Sequence, residues 1–210
     1  SEVRFGSDIG SLMSGPAWTL NSSRQSSTVL AIGPSTLRRL CHPMVLGTMG
    51  SGGYPQSRVV LLKGYDERGF EFYTNYESRK AVELGITPVA SLLFHWKKLQ
   101  RQVRIQGPAE KISVEETDQY FQTRPRGSQL SAWASHQSRA LNNRDELEAA
   151  LRRHEHRYHG QPVPTPPFWG GYRVGIETLE FWQGRPNRLH DRFFYRRDVR
   201  QEWVVERLAP

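Results

Sequence analysis

Cysteine is almost missing from this sequence: Cys41 stands alone among 210 residues. One thiol excludes any intrachain disulfide, and nothing points to an oxidising compartment. Long apolar runs are missing too, and none approaches the roughly 20 residues that span a bilayer as a helix. The N-terminus lacks the basic-then-apolar order of a secretory signal, so a cytoplasmic location and no membrane partner are expected. The chain begins at Ser1 and not at Met, as a trimmed chain would. No G-x-G-x-x-G follows a strand pattern, and Gly52–Gly53 lacks the helix and acidic residue of a dinucleotide fold. No P-loop and no internal repeat is found.

Acidic residues are in deficit. Against 29 Lys+Arg there are 21 Asp+Glu, which leaves a net charge of +8. That balance favours anionic partners: nucleic acid, acidic membrane or phosphorylated small molecules. The basic residues are scattered between acidic ones and form no run, which weighs against a nucleic-acid surface. The length suits one domain with an ample core.

Residues 1–41, rich in Ser with interspersed Gly, read as a flexible N-terminal arm. Beyond them the pattern sharpens into short strands. Met44–Met49 is one, and Ser57–Lys63 a second. Asp66–Gly69 is a turn before Phe70–Thr74, so Ser57–Lys63 and Phe70–Thr74 are expected to form a hairpin. Ser78 suits the N-cap of a short helix, Arg79–Leu84, closed by Gly85. Val89–Trp96 and Arg101–Ile105 are strands, and alternation in the latter separates Gln102 and Arg104 from Val103 and Ile105. Ser113 and Glu116 form a capping box, and Pro125 ends the helix they start. A further helix is expected over Gln129–His136, then an amphipathic one over Arg144–Tyr158. Strands follow at Trp169–Val174, Leu179–Gln183, Arg188–Tyr195 and Glu202–Arg207. Short strands with helices outside them predict a mainly β fold, an antiparallel barrel with added helices.

Two constellations carry chemistry. If Arg188–Tyr195 is a strand, Arg188, His190 and Arg192 share a face. Three such neighbours repel one another unless an anion or an electron-rich ring lies on them; a solvated basic edge is the plainer alternative. Tyr120 and Arg124 share a helix face, and Ser128 sits where the next helix would begin, its hydroxyl able to cap. Together they make either a phosphate cup or an ordinary helix–turn–helix with a structural cap. His154, His156 and His159 resemble a metal cluster, but no cysteine is near, helical spacing separates His154, and the arginines would repel a cation, so no metal is expected.

The ordered set SRVVLLK (57–63), FYTNYESRK (72–80), RQVRIQG (101–107), YFQTRPRGS (120–128), AWASHQS (132–138), Trp169–Gly171, EFWQGRPNRLHDR (180–192) and the terminal RLAP resembles the pyridoxine (pyridoxamine) 5′-phosphate oxidase family. Each motif is modest alone; their order is specific. The resemblance implies a Greek-key, FMN-binding split β-barrel. Residues 42–166 would form the FMN-binding domain, and residues 167–210 would complete the barrel and the dimer interface. It implies a homodimer that oxidises pyridoxine or pyridoxamine 5′-phosphate to pyridoxal 5′-phosphate, reducing O2 to H2O2. The implied flavin site is Arg58, Val59, Val60, Leu61, Leu62, Lys63, Tyr73, Thr74, Arg79, Lys80 and Gln102 from one subunit. Gln137, Ser138, Trp182 and Arg192 would come from the other. The implied substrate-phosphate site is Lys63, Tyr120, Arg124 and Ser128, with Arg188 and His190 as catalytic residues holding the pyridine ring. The first forty residues depart from the family, because Arg4 and Arg24 cannot be assigned to its substrate-covering segment. A same-fold oxidase of another small ring, such as a phenazine precursor, and a non-enzymatic flavin- or RNA-binding barrel are the competing readings.

Overall fold

The structure, a computed structural model, describes residues 43–210. The expected N-terminal arm lies outside the described residues. Burial alternates along the longest strand. In β6 (Arg101–Lys111), Val103, Ile105, Gly107 and Ala109 are buried while Arg104, Gln106 and Pro108 are exposed. Such a strand can line a core with one face only. The others are β1 (Pro43–Met49), β2 (Pro55–Leu61), β3 (Gly64–Asp66), β4 (Gly69–Asn75), β5 (Val89–Trp96), β7 (Trp169–Val174), β8 (Thr178–Gln183), β9 (Asp191–Arg197) and β10 (Trp203–Arg207). Among the described residues four α-helices accompany them: α1 (Arg79–Ile86), α2 (Val114–Gln122), α3 (Arg126–Ala134) and α4 (Arg144–Arg157).

All pairings are antiparallel, in the order β10-β9-β8-β6-β5-β1-β2. The far end of β6 pairs instead with β7, which pairs with β4, and β4 with β3. The sheet therefore turns a corner along β6. Gly107 sits at that corner, where a Cβ would lie 2.1 Å from the Gly175 carbonyl oxygen, so no side chain fits. The folded sheet wraps one core, with Leu46, Phe72, Phe94, Val103, Ile105, Val174, Phe181 and Phe193 in a single cluster. A second cluster, built on Phe121, Leu130, Tyr158, Val163 and Trp169, fastens α2, α3 and α4 to the outside.

The strands at 89–96, 169–174, 178–183 and 203–207 fall where the sequence puts them. Three expectations are corrected. Ser57–Lys63 does not pair with Phe70–Thr74: β2 pairs with β1, and the short β3 is the partner of β4 across the Asp66–Gly69 turn. Periodicity marks a strand but not its neighbour. The helix after Pro125 starts at Arg126, capped by Pro125, so Ser128 lies inside its first turn with its N–H on the Pro125 carbonyl at 2.8 Å. The expected strand 188–195 begins only at Asp191, because Asn187 and Arg188 have φ of 59° and 60°. A left-handed pair of non-glycine residues cannot continue an extended strand.

The capping box at Ser113 forms by half. Ser113 Oγ accepts the Glu116 N–H, while the Glu116 carboxylate turns to Arg173 at 3.2 Å and Arg68 at 3.1 Å. Buried Arg173 also meets Glu71 at 2.6 Å, tying the barrel to α2. Removing Arg173 leaves the Glu71 carboxylate without its cation, while Glu116 keeps Arg68, so Arg173→Ala should cost about 3 kcal/mol, against less than half that for the exposed Arg144→Ala. Urea denaturation of both variants at one protein concentration checks this.

Candidate active site

Side chains at the end of β4, the start of α1 and the loop after α3 converge. Lys80 Nζ donates to Thr74 Oγ1 and Gln137 Oε1, both at 3.0 Å, and to Ser78 Oγ at 3.3 Å. Thr74 Oγ1 donates to Gln137 at 2.9 Å. The Arg79 N–H donates to Ser138 Oγ at 3.2 Å, and Asn75 holds the Ser135 carbonyl. Ser78 has the backbone of an N-cap but makes no side-chain cap; its hydroxyl serves Lys80. Burial, and then the charge of Arg58, pull the Lys80 ammonium down to about 8. Arg58 reaches Glu83 at 2.9 Å and Thr48 beside it. The Arg79 side chain is exposed and has no partner among the described residues. A half-buried ammonium, two guanidinium groups and several hydroxyls suit a phosphate. Gln137 and Ser138 are expected from a second subunit, yet they sit against Thr74, Lys80 and Arg79 of their own chain.

Beside this cluster, β2 ends the sheet order. Among the described residues no strand pairs with its outer edge, which leaves main-chain groups of Val59, Val60 and Leu61 available to a polar ring. Leu62 is buried in the core, and the Lys63 N–H is held by the Glu71 carbonyl at 2.9 Å.

A second group lies under α2 and α3. Tyr73 stacks on Tyr120 with centroids 4.0 Å apart and on Trp169 at 5.4 Å. Alternation turns Tyr73 away from Thr74, so the expected cofactor tyrosine joins the substrate-cup residues instead. Arg124 Cζ lies 4.5 Å from the Trp169 centroid. Its Nη1 is buried without a hydrogen-bond partner among the described residues, and burial lowers its pKa. A buried donor left unsatisfied is costly, which marks a place for an anion. Ser128 lies one turn further on, at the start of α3.

The third group is on the outer face of β6, β8 and β9. Gln102 is opposite Trp182, which is opposite Arg192. His190 packs on Trp182 at 4.6 Å, and its Nδ1 accepts the Arg185 N–H at 3.1 Å. In the neutral ring this leaves the proton on Nε2. Asp191 is held below the usual carboxylate range by Arg185 and Arg207, each 2.7 Å away. Arg192 is engaged by Glu180 at 2.8 Å and the Ala209 carbonyl at 2.9 Å. Arg188 is exposed in the left-handed turn, without a partner among the described residues. Strain of this kind persists where the surroundings hold it. Thr48 and Glu83 were not legible as site residues; the one available signal is an acidic residue one helical turn after Lys80, between the core positions Ala81 and Leu84.

A half-barrel with cation-rich clusters at its rim belongs to the split-barrel class. The sequence model described as pyridoxamine 5′-phosphate oxidase matches residues 35–158, and that of the pyridoxine 5′-phosphate oxidase C-terminal dimerisation region matches residues 169–210. The chain belongs to the pyridoxamine 5′-phosphate oxidase family, a family of oxidoreductases. It is 58% identical over 167 residues to the pyridoxine/pyridoxamine 5′-phosphate oxidase of Rubrobacter xylanophilus, covering 80% of this chain and 76% of that one. The Bordetella pertussis protein of the same name is 55% identical, covering 80% and 79%. Among solved structures, PhzG from Burkholderia lata 383 in complex with tetrahydrophenazine-1-carboxylic acid superposes with a TM-score of 0.76 at 34% identity, covering 84% and 86%. A pyridoxamine 5′-phosphate oxidase-related, FMN-binding protein of Nostoc punctiforme shares the fold, with a TM-score of 0.65 at 19% identity, covering 80% and 87%.

The depressed Lys80 pKa has a measurable consequence for the ligand-free protein. Between about 8 and the ordinary 10.5, the folded chain has released a proton that the unfolded chain keeps. Stability should rise with pH through that window and fall as pH drops toward 8. Lys80→Met should flatten the slope. Urea midpoints between pH 7.5 and 9.5, compared for the two proteins, check it.

Proposed function

We propose that this protein is an FMN-dependent oxidase converting pyridoxine 5′-phosphate and pyridoxamine 5′-phosphate to pyridoxal 5′-phosphate, with O2 reduced to H2O2. The observation that carries the reading is the presence of two separate cationic sites: the Lys80 cluster and the buried, unsatisfied Arg124 Nη1. One phosphate on a cofactor and another on a substrate would use both. Arg58, Arg79 and Lys80, with Thr74, Gln137 and Ser138, hold the FMN phosphate. The open edge of β2, Val59 to Leu61, and the following Leu62 and Lys63 border the ring. No dinucleotide motif is present for a second phosphate, which favours FMN over FAD. Tyr120, Arg124 and Ser128, with Lys63, take the substrate phosphate.

The ring side of the site needs a second copy. From β2 to β8 there are four strand steps, about 19 Å along the sheet. Arg58 also lies on the inner face of β2 with Val60, whereas Trp182 and Arg192 lie on the outer face of their strands. The outer face of β2 leaves Val59 65% and Leu61 43% exposed, an apolar surface suited to a homodimer. Across that interface Trp182, Arg192, Arg188 and His190 of one copy meet the FMN half of the other, with Gln102 on the same face as Trp182. FMN supplies the two-electron acceptor that is reoxidised by O2. Arg188 and the His190 Nε2–H orient the pyridine ring, and the protein's own contribution is alignment and exclusion of water. The lone thiol agrees with a cytoplasmic site of action.

A second reading, oxidation of a phenazine precursor, is favoured by the likeness to PhzG. The Arg124 cup would take either anion, a phosphate or the carboxylate of such a precursor; identities of 58% and 55% to proteins named for the phosphorylated vitamers, against 34% to PhzG, favour the first reading. Purified protein should be yellow, release FMN, and form peroxide when pyridoxine 5′-phosphate is added in air. FAD as the native flavin, or no peroxide from either phosphorylated vitamer, would overturn the proposal.

Arg124 pairs with an anion that is unchanged during hydride loss, so Arg124→Ala should raise KM and spare kcat. A charge-assisted bond of about 1.5–3 kcal/mol corresponds to roughly ten- to a hundred-fold in KM. Arg188→Ala should lower kcat as well, because alignment is lost. Steady-state kinetics at checked FMN occupancy decide it; the reverse pattern would exchange the two roles.

A further inference from the structure

Two buried polar side chains stand just behind the Lys80 cluster. Glu83 and Thr48 are each 5% exposed. Glu83 accepts from Arg58 Nη2 at 2.9 Å and from the Thr48 hydroxyl, and Thr48 accepts from Arg58 Nη1. Among the described residues, every hydrogen bond of these two side chains is to the other or to Arg58. Neither residue belongs to the group that meets a ligand.

We propose that Glu83, with Thr48, is a positioning residue of the phosphate site: it fixes the Arg58 guanidinium in the orientation that meets the anion. This rests on the reading of the Lys80 cluster as the FMN-phosphate site. A guanidinium has five donors in a rigid plane. Glu83 and Thr48 take one bond from each terminal nitrogen, which fixes the plane and leaves the remaining donors for an incoming group. Arg side chains carry large rotamer entropy, so an unbraced Arg58 would have to be ordered at the moment of binding. Glu83 also sets the charge. Arg58, Arg79 and Lys80 together carry three positive charges, and Glu83 brings the sum to two, the complement of a phosphate dianion. Lys80 feels both neighbours: Arg58 on β2 disfavours its charge, and Glu83 on its own helix favours it. The hydrogen-bond partners of Lys80 among the described residues, Thr74, Ser78 and Gln137, are neutral.

The geometry distinguishes bracing from mere charge balance. A glutamine at 83 keeps an acceptor oxygen for Arg58 and Thr48 but has no charge; an alanine keeps neither. The test is titration of FMN and of riboflavin, the same ring without phosphate, into the apoprotein, followed by quenching of flavin fluorescence. Glu83→Ala should weaken FMN binding by about tenfold or more and leave riboflavin within about twofold. Glu83→Gln should restore most of the FMN affinity. Three results would overturn the inference: FMN binding unchanged in Glu83→Ala, FMN and riboflavin weakened equally, or Glu83→Gln as weak as Glu83→Ala. If the unaltered protein fails to prefer FMN to riboflavin, the phosphate-site reading itself falls, and this inference with it.

Discussion

The fold depends on β6 running unbroken from Arg101 to Lys111. Its first six residues hydrogen-bond with β5 on one side and β8 on the other, and its last three with β7. One strand thus belongs to both halves of the bent sheet, and Gly107 allows the bend by leaving room for the Gly175 backbone. Its alternation then divides the molecule. Val103 and Ile105 go to the core, while Gln102 and Arg104 go outward, and pairing through β8 and β9 carries that outward face to Trp182 and Arg192. The proposed FMN-phosphate half lies toward the other end of the sheet, on β2, four strand steps from the proposed ring half on β8.

The many cations of this chain fall into two kinds. Arg173, Arg185, Arg192 and Arg207 are held by carboxylates of their own chain, and these pairs lock elements together. The Arg79 and Arg188 side chains and Arg124 Nη1 have no such partner among the described residues. Charge in excess of internal pairing is thereby placed where the proposed phosphates and ring would lie. Arg58 stands between the kinds: it is paired, but to a carboxylate that leaves part of its fork open.

Much of this was legible in the sequence, and the remainder failed for physical reasons. Apolar alternation located the strand at 89–96 and the inner and outer faces of β6, because burial on one face leaves a period of two. The ordered motifs located the family. Partners were not legible: β2 pairs with β1 although Phe70–Thr74 lies across an equally good turn, and β3 is too short to show a pattern. The left-handed Asn187 and Arg188 were hidden because neither is glycine, so Arg188 and His190 fall outside the strand that alternation extends through them. Ser128 has the chemistry of a cap, but Pro125 takes that position. Tyr73 and Thr74 are adjacent in sequence and serve different clusters, which follows from the strand once its covering helices are known.

The central claim is that each active site is completed by two copies, with the phosphate half from one and the ring half from the other. Subunit mixing tests it most directly. Lys80→Ala disables the first half and Arg188→Ala the second, so each homodimer is defective at both sites. Unfolding and refolding them together gives heterodimers in which one site carries both defects and the other carries none. Random reassortment should restore about a quarter of the unaltered activity, a fraction set by the two-fold symmetry. A mixture no more active than its two components, with heterodimer formation shown by mass, would contradict the account.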